Sequence, residues 1–202
     1  KLREGVLSMG ATNVTCLRKA AFSENASLQF NEFPERYSSW NSLGRPAMED
    51  PEEPSRLVPL MRSVNVEAVT IDSFCEERGI DTIDYLKLDV EGAEIFALQG
   101  AERLLERKAI RLLQFEISQK MLEGLGTKAG EVFDYLASMG YACHAITEDG
   151  ELGEIVTDSD AFYENYIALP APARSRLSDS WENSLSPLIR SAVGSFDVKS
   201  RV

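Results

Sequence analysis

The chain of 202 residues is 44% hydrophobic and 27% charged, ordinary proportions for one globular domain of α/β size. Its net charge of −12 argues against non-specific nucleic-acid binding, which needs a basic surface. No apolar run approaches the roughly 20 residues needed to cross a bilayer, so no transmembrane segment is expected and a cytoplasmic location is. The cysteines Cys16, Cys75 and Cys143 form no CxxC pair and have no metal-ligand spacing, so they read as buried free thiols of a reducing compartment. Lys1-Leu2-Arg3-Glu4 offers neither an initiator Met nor the start of a signal core, and the chain reads as cut from something longer.

Residues 2–9 read as the end of a helix, stopped by Gly10. Residues 13–17 (NVTCL) are β-prone, and Lys19-Ala20-Ala21-Phe22-Ser23 follow. The alternation of SLQFNEF, residues 27–33, predicts a strand. Residues 34–59 hold five of the chain's eight prolines with an acidic run, the pattern of a loop or lid, and carry Ser39 and Trp40. Residues 64–71 (VNVEAVTI) read as a strand, after which Asp72-Ser73 start a short helix that Gly79 ends.

The most informative stretch is residues 83–101, IDYLKLDVEGAEIFALQGA. Strand alternation puts Leu86, Leu88 and Val90 on one face and Lys87, Asp89 and Glu91 on the other. Glu91-Gly92 turns the chain, and a helix is expected from Ala93 to about Arg107. Strand, acidic turn and helix make the unit of a parallel α/β sheet, whose ligands gather at the carboxyl ends of the strands. IRLLQFEI, residues 110–117, is the next strand, with Gln114 and Glu116 on one face. Residues 128–139 form an amphipathic helix ended by Gly140, residues 141–147 (YACHAIT) a strand closed by the turn Glu148-Asp149-Gly150, and residues 165–169 (NYIAL) a last antiparallel strand. His144, the single histidine, reads as structural. The tail from residue 171 to 202 carries one short amphipathic piece at 185–193.

Leu86-Lys87-Leu88-Asp89-Val90-Glu91-Gly92-Ala93-Glu94, followed by Leu98-Gln99-Gly100-Ala101, resembles the FkbM family of S-adenosylmethionine-dependent methyltransferases. The similarity extends upstream to Val69-Thr70-Ile71-Asp72-Ser73-Phe74 and downstream to Phe115-Glu116, roughly half the chain in consistent order. The resemblance implies a Rossmann-like class I methyltransferase fold over residues 1–170, with sheet order 3-2-1-4-5-7-6, and methylation of a hydroxyl on a small molecule or glycan. It makes NVTCL the third strand, sets Ala20 and Ala21 beside the cofactor's adenine, and brings the Ser39-Trp40 segment near the active site. No glycine-rich cofactor turn occurs in the chain, so the sheet is expected to lack its first two strands. The third and fourth strands would then have exposed edges.

Methyl transfer needs an in-line nucleophile and a group to take its proton; a metal is not required, and none is expected. Asp89, Glu91 and Glu116 are the candidate catalytic residues, with Asp89 also a candidate contact to the cofactor. Two other classes compete. Carboxylates at strand ends could hold a divalent cation in a metal-dependent hydrolase, though no His supplements them. The fold could also serve as a non-catalytic interaction module.

Overall fold

The computed structural model describes residues 2–171. The anticipated helix at 185–193, with the rest of the tail beyond Ala171, lies outside the described residues. In chain order the elements are α1 (Leu2–Ser8), β1 (Lys19–Ala21), β2 (Ala26–Glu32), a 3-10 helix (Glu35–Trp40), β3 (Glu49–Asp50), β4 (Glu53–Leu57), β5 (Arg62–Val69), α2 (Ile71–Glu77), β6 (Ile83–Leu88), α3 (Glu94–Gln99), α4 (Glu102–Glu106), β7 (Ile110–Ser118), α5 (Gln119–Leu125), α6 (Ala129–Ser138), β8 (Tyr141–Ile146), β9 (Leu152–Ile155) and β10 (Tyr163–Pro170).

The larger sheet has the order β6-β7-β10-β8-β9. β6 and β7 run parallel, with Leu86 opposite Leu113 and Leu88 opposite Phe115, and the remaining pairs are antiparallel. The parallel pairing expected of YLKLDV beside IRLLQFEI is therefore present. Leu113, Phe115 and Ile117 of β7 join Leu98, Leu105 and Phe133 in the main core under α3, α4 and α6. Phe115, Phe133 and Tyr166 pack ring on ring at centroid distances of 5.1 to 5.6 Å. The opposite face is apolar at one end, where Leu112, Ile167 and Leu169 cluster. Toward the carboxyl end of β7 it turns polar: the Tyr85 hydroxyl donates to Gln114 Oε1 at 2.5 Å, and Gln114 Nε2 donates to Asn165 Oδ1 at 2.9 Å.

The smaller sheet has the order β1-β5-β2, with β1 parallel and β2 antiparallel to β5. Two residues of the TIDSF segment cap helices, and one of them, Asp72, ties the smaller sheet to the helices over the larger one. Thr70 Oγ1 caps α2 by accepting from the Ser73 amide at 3.0 Å. Asp72 accepts from the amides of Arg103 and Leu104 at 2.9 and 3.1 Å, so it caps α4 from across the chain. Phe22 stacks on Phe96 at 4.8 Å, and Gly100 lies so close that a Cβ there would stand 2.1 Å from the Phe22 carbonyl oxygen.

Three expectations are corrected. Residues 13–17 form no strand, and the sheet begins at Lys19 instead, because a β-prone run becomes a strand only where a partner edge accepts it. The helix expected to run from Ala93 to about Arg107 is two helices broken at Gly100-Ala101, where the backbone is drawn to Phe22 and α4 receives its cap from Asp72. Residues 34–59 are not an unstructured loop. They hold the 3-10 helix and the β3-β4 hairpin around a small core of Phe33, Tyr37 and Val58. The segment is anchored where the Arg45 amide donates to the Gly124 carbonyl of α5 at 3.0 Å.

All three cysteines are free, Cys75 and Cys143 being buried and Cys16 half-buried. Among the described residues no helix is long and apolar enough to cross a membrane.

Candidate functional site

The carboxyl ends of β6 and β7 lie side by side, so whatever follows β6 meets the last residues of β7. Asp89 stands one residue past β6, Glu91 in the turn that follows, and Glu116 near the end of β7. Their carboxylates come together, each offering an oxygen within 4.8 Å of the others. Asp89 is exposed, Glu91 half-buried and Glu116 buried. The structure thus converges the three acids that the sequence nominated.

The turn is built to bring them there. Glu91 has φ 52°, a left-handed conformation that costs a non-glycine residue about 1 kcal/mol or more. Gly92 follows with φ 94°, and a Cβ at that position would stand 2.4 Å from the Met121 carbonyl oxygen of α5. Only glycine meets both demands. The turn therefore lies flat against α5, the helix on which the 34–59 segment is anchored.

Lys87 and Asp89 pair at 2.8 Å, as their shared strand face suggested, with both side chains about one-third exposed. Two further residues, not singled out from sequence, complete the site. The Tyr163 hydroxyl is hydrogen-bonded to Glu116. Its pKa is raised first by burial, then by that bond and by the charges of Glu116, Asp89 and Glu91. Glu94, 1% exposed, accepts the amides of Val90 and Gly92 on Oε1 at 3.2 and 3.4 Å, while Oε2 is buried with no hydrogen-bond partner among the described residues. Burial lifts its pKa to about 7, the amides oppose the rise, and the charge of Glu116 adds to it. Tyr163 was missed because the last strand was expected to start at Asn165. Glu94 was missed because a glutamate in a first helical turn usually reads as an exposed dipole partner.

Ala20 and Ala21 line an apolar cleft of about 350 Å³, together with Leu17 and Val69, opposite Leu86, Leu88 and Val90. The cleft lies between β1 and β6. Among the described residues each of these strands is hydrogen-bonded on one edge alone, β1 to β5 and β6 to β7. Trp40 stacks on Tyr37 at 4.7 Å and meets Phe33 edge-on at 6.0 Å, inside the small core of its own segment, and Ser39 beside it is exposed. Neither belongs to the acidic cluster. His144 is buried in β8, its Nδ1 3.1 Å from the Gly153 carbonyl oxygen, with β10 between its strand and β7.

Comparison with curated proteins and with solved structures returns no match. A family model does match: the methyltransferase FkbM domain, over residues 19–143. That span holds both sheet edges of the cleft, the acidic turn and Glu116, and it covers more than half of the chain, which therefore belongs to the FkbM methyltransferase family.

Proposed function

We propose that the chain is the acceptor-side part of an S-adenosylmethionine-dependent methyltransferase that methylates a hydroxyl on a small molecule or glycan. The observation that carries this reading is the convergence of Asp89, Glu91 and Glu116 at the carboxyl ends of two parallel strands, on a turn held in a strained conformation.

The donor set suits the cofactor, because a carboxylate cluster is complementary to a sulfonium and an ammonium. When bound, S-adenosylmethionine supplies a methyl group activated on sulfur. Asp89, already turned to one cation by Lys87, accepts from the cofactor's ammonium or from the acceptor hydroxyl. Glu91 and Glu116 hold that hydroxyl, and one of them takes its proton as the oxygen is methylated. Tyr163 orients Glu116 through its hydrogen bond. Ala20 and Ala21, small and on the cleft wall, leave room on the adenine side. The glycine-rich turn that such a cofactor needs around its methionine part is not in the sequence. It would be supplied by strands seated between β1 and β6, giving the Rossmann-like order in which β6, β7, β10 and β8 correspond to strands 4, 5, 7 and 6.

The test is methyl transfer from labelled cofactor to a panel of sugar and small-molecule hydroxyls, in a chain that also carries those strands. Asp89→Asn keeps the shape and removes the charge, so kcat/KM should fall at least tenfold, about 1.4 kcal/mol of transition-state stabilisation, with Tm unchanged. Glu91→Gln should in addition shift the pH–rate profile. Wild-type turnover in both variants would reduce the acidic turn to scaffolding. Absence of any transfer from the longer chain would favour a non-catalytic interaction module.

A further inference from the structure

The short helix α5 meets three parts of the molecule around the candidate site, each time through backbone. On the acidic turn, a Cβ at Gly92 would run into the Met121 carbonyl oxygen. At the start of the helix, the Gln119 amide donates to the Phe162 carbonyl at 3.2 Å, one residue ahead of Tyr163. Near its end, the Arg45 amide donates to the Gly124 carbonyl at 3.0 Å. A backbone contact cannot be relieved by a change of rotamer, so in a close-packed interior it passes a displacement on.

Two glycines close the junction between α5 and the 34–59 segment. A Cβ at Gly124 would stand 2.6 Å from the Pro46 nitrogen, and one at Gly44 would stand 2.9 Å from the Gly124 carbonyl. Neither residue has a positive φ, so close approach, not backbone conformation, reserves both positions for glycine. Gly44 is held in turn to the smaller sheet. Asn31 of β2, 2% exposed, donates from Nδ2 to the Leu43 and Gly44 carbonyls at 3.2 and 2.7 Å. Ser63 of β5 fixes that amide by donating to Asn31 Oδ1 at 2.6 Å. Contacts therefore run without a break from the smaller sheet through Asn31, Gly44, Gly124 and Met121 to Gly92. Glu91, beside Gly92, is placed to register a shift along them, because its φ of 52° persists only while its surroundings enforce it.

We infer that Gly44 and Gly124 are positioning residues. By letting the 34–59 segment seat its backbone on α5, they fix α5 against the acidic turn, and so fix Glu91 relative to the smaller sheet that carries Ala20 and Ala21. The consequence for catalysis rests on the methyl-transfer reading: the acids of the turn must meet the acceptor while the cofactor lies on the smaller sheet's side. A misplacement of about 1 Å set from a distance can cost about 100-fold in rate. The coupling itself does not rest on that reading.

Amide spectra of isotope-labelled residues 1–202, without cofactor or acceptor, test the coupling. Gly124→Ala must push Pro46 away, and the cross-peaks of Glu91, Gly92 and Ala93 are expected to move. Gly44→Ala applies the same pressure from the other side at a longer approach, so it stays informative if Gly124→Ala folds poorly. Gly153→Ala is the control for a general loss of packing. It is crowded by the Ala145 carbonyl oxygen at 3.0 Å on the far edge of the larger sheet, and should leave the turn's cross-peaks in place. In a longer chain that transfers methyl groups, Gly124→Ala should lower kcat at least about tenfold and shift the pH–rate profile. A smaller folded fraction would instead scale the rate alike at every pH. Turn cross-peaks that stay put in both Gly124→Ala and Gly44→Ala, or that move equally in Gly153→Ala, overturn the coupling. Moved cross-peaks with an unchanged kcat in Gly124→Ala overturn the positioning role. Moved cross-peaks in a protein whose longer chain transfers no methyl group keep the coupling and remove the proposed reaction.

Discussion

Glu94 sets the most direct link between one residue and a measurable property. Its carboxyl is buried at the start of α3, against the turn before it, and burial raises its pKa from about 4.5 to about 7. The folded protein therefore holds this proton more tightly than the unfolded chain does. The stability it contributes is fully present below pH 4.5 and is lost as pH rises through 7, a change on the order of 3 kcal/mol. Glu94→Gln keeps the acceptor for the Val90 and Gly92 amides and cannot ionise. In chelator-treated buffer, urea unfolding of the variant and the wild type should diverge between pH 5 and pH 8, the variant becoming relatively more stable at the alkaline end. Parallel curves across that range would mean that Glu94 keeps its charge and has found a partner.

At the scale of elements, the sequence showed clearly where local pattern and tertiary demand agree. β7 was legible because IRLLQFEI alternates a core face with Leu112, Gln114 and Glu116, and β6 because YLKLDV leads into the turn that its glycine requires. The three acids were legible because strand alternation fixes the face of Lys87 and Asp89, and the parallel partner brings Glu116 beside them. The break in the helix expected after the acidic turn was not legible. Its cause is Gly100 against Phe22, residues 78 positions apart in sequence, together with the cap from Asp72. α5 was equally hidden, since glycines at 124 and 126 argue against a helix until Gly126 is seen to end it at φ 72°. These contacts yield a prediction. Gly100 has an ordinary helical φ of −69°, so alanine there meets no backbone strain, only the Phe22 carbonyl at 2.1 Å. Gly100→Ala should destabilise by about 1–3 kcal/mol, as overpacking does. Gly5→Ala, with nothing near its Cβ, should be neutral or slightly stabilising. Urea midpoints for the two variants check this, and equal midpoints would show that the sheets can part at Phe22 without loss.

For the whole molecule, the governing feature is the pair of facing edges. Among the described residues β1 and β6 each have a hydrogen-bonded neighbour on one side alone, and their other sides look into the same apolar cleft. Open strand edges are a hazard that natural folds cover, and an apolar ligand alone would leave their N–H and C=O groups unmatched. Inserted strands would meet both needs: hydrogen bonds along β1 and β6, and side chains against Ala21, Leu86 and Leu88. α1 and the residues after it fit the same picture, since Leu7, Met9, Val14 and Leu17 are exposed on that part of the chain. On the proposed methyl-transfer reading, strands seated between β1 and β6 would join the two sheets and carry the cofactor turn. Hydrogen exchange makes the expectation measurable. Amides of Lys19–Ala21 and Ile83–Leu88 that point into the cleft should exchange quickly in residues 1–202 and become protected in a longer chain, while those bonded to β5 and β7 stay protected in both. S-adenosylmethionine should bind the longer chain and titrate weakly or not at all into the shorter one. Tight cofactor binding by residues 1–202, or edge amides protected before any strand is added, would mean that the cleft itself is the finished binding site.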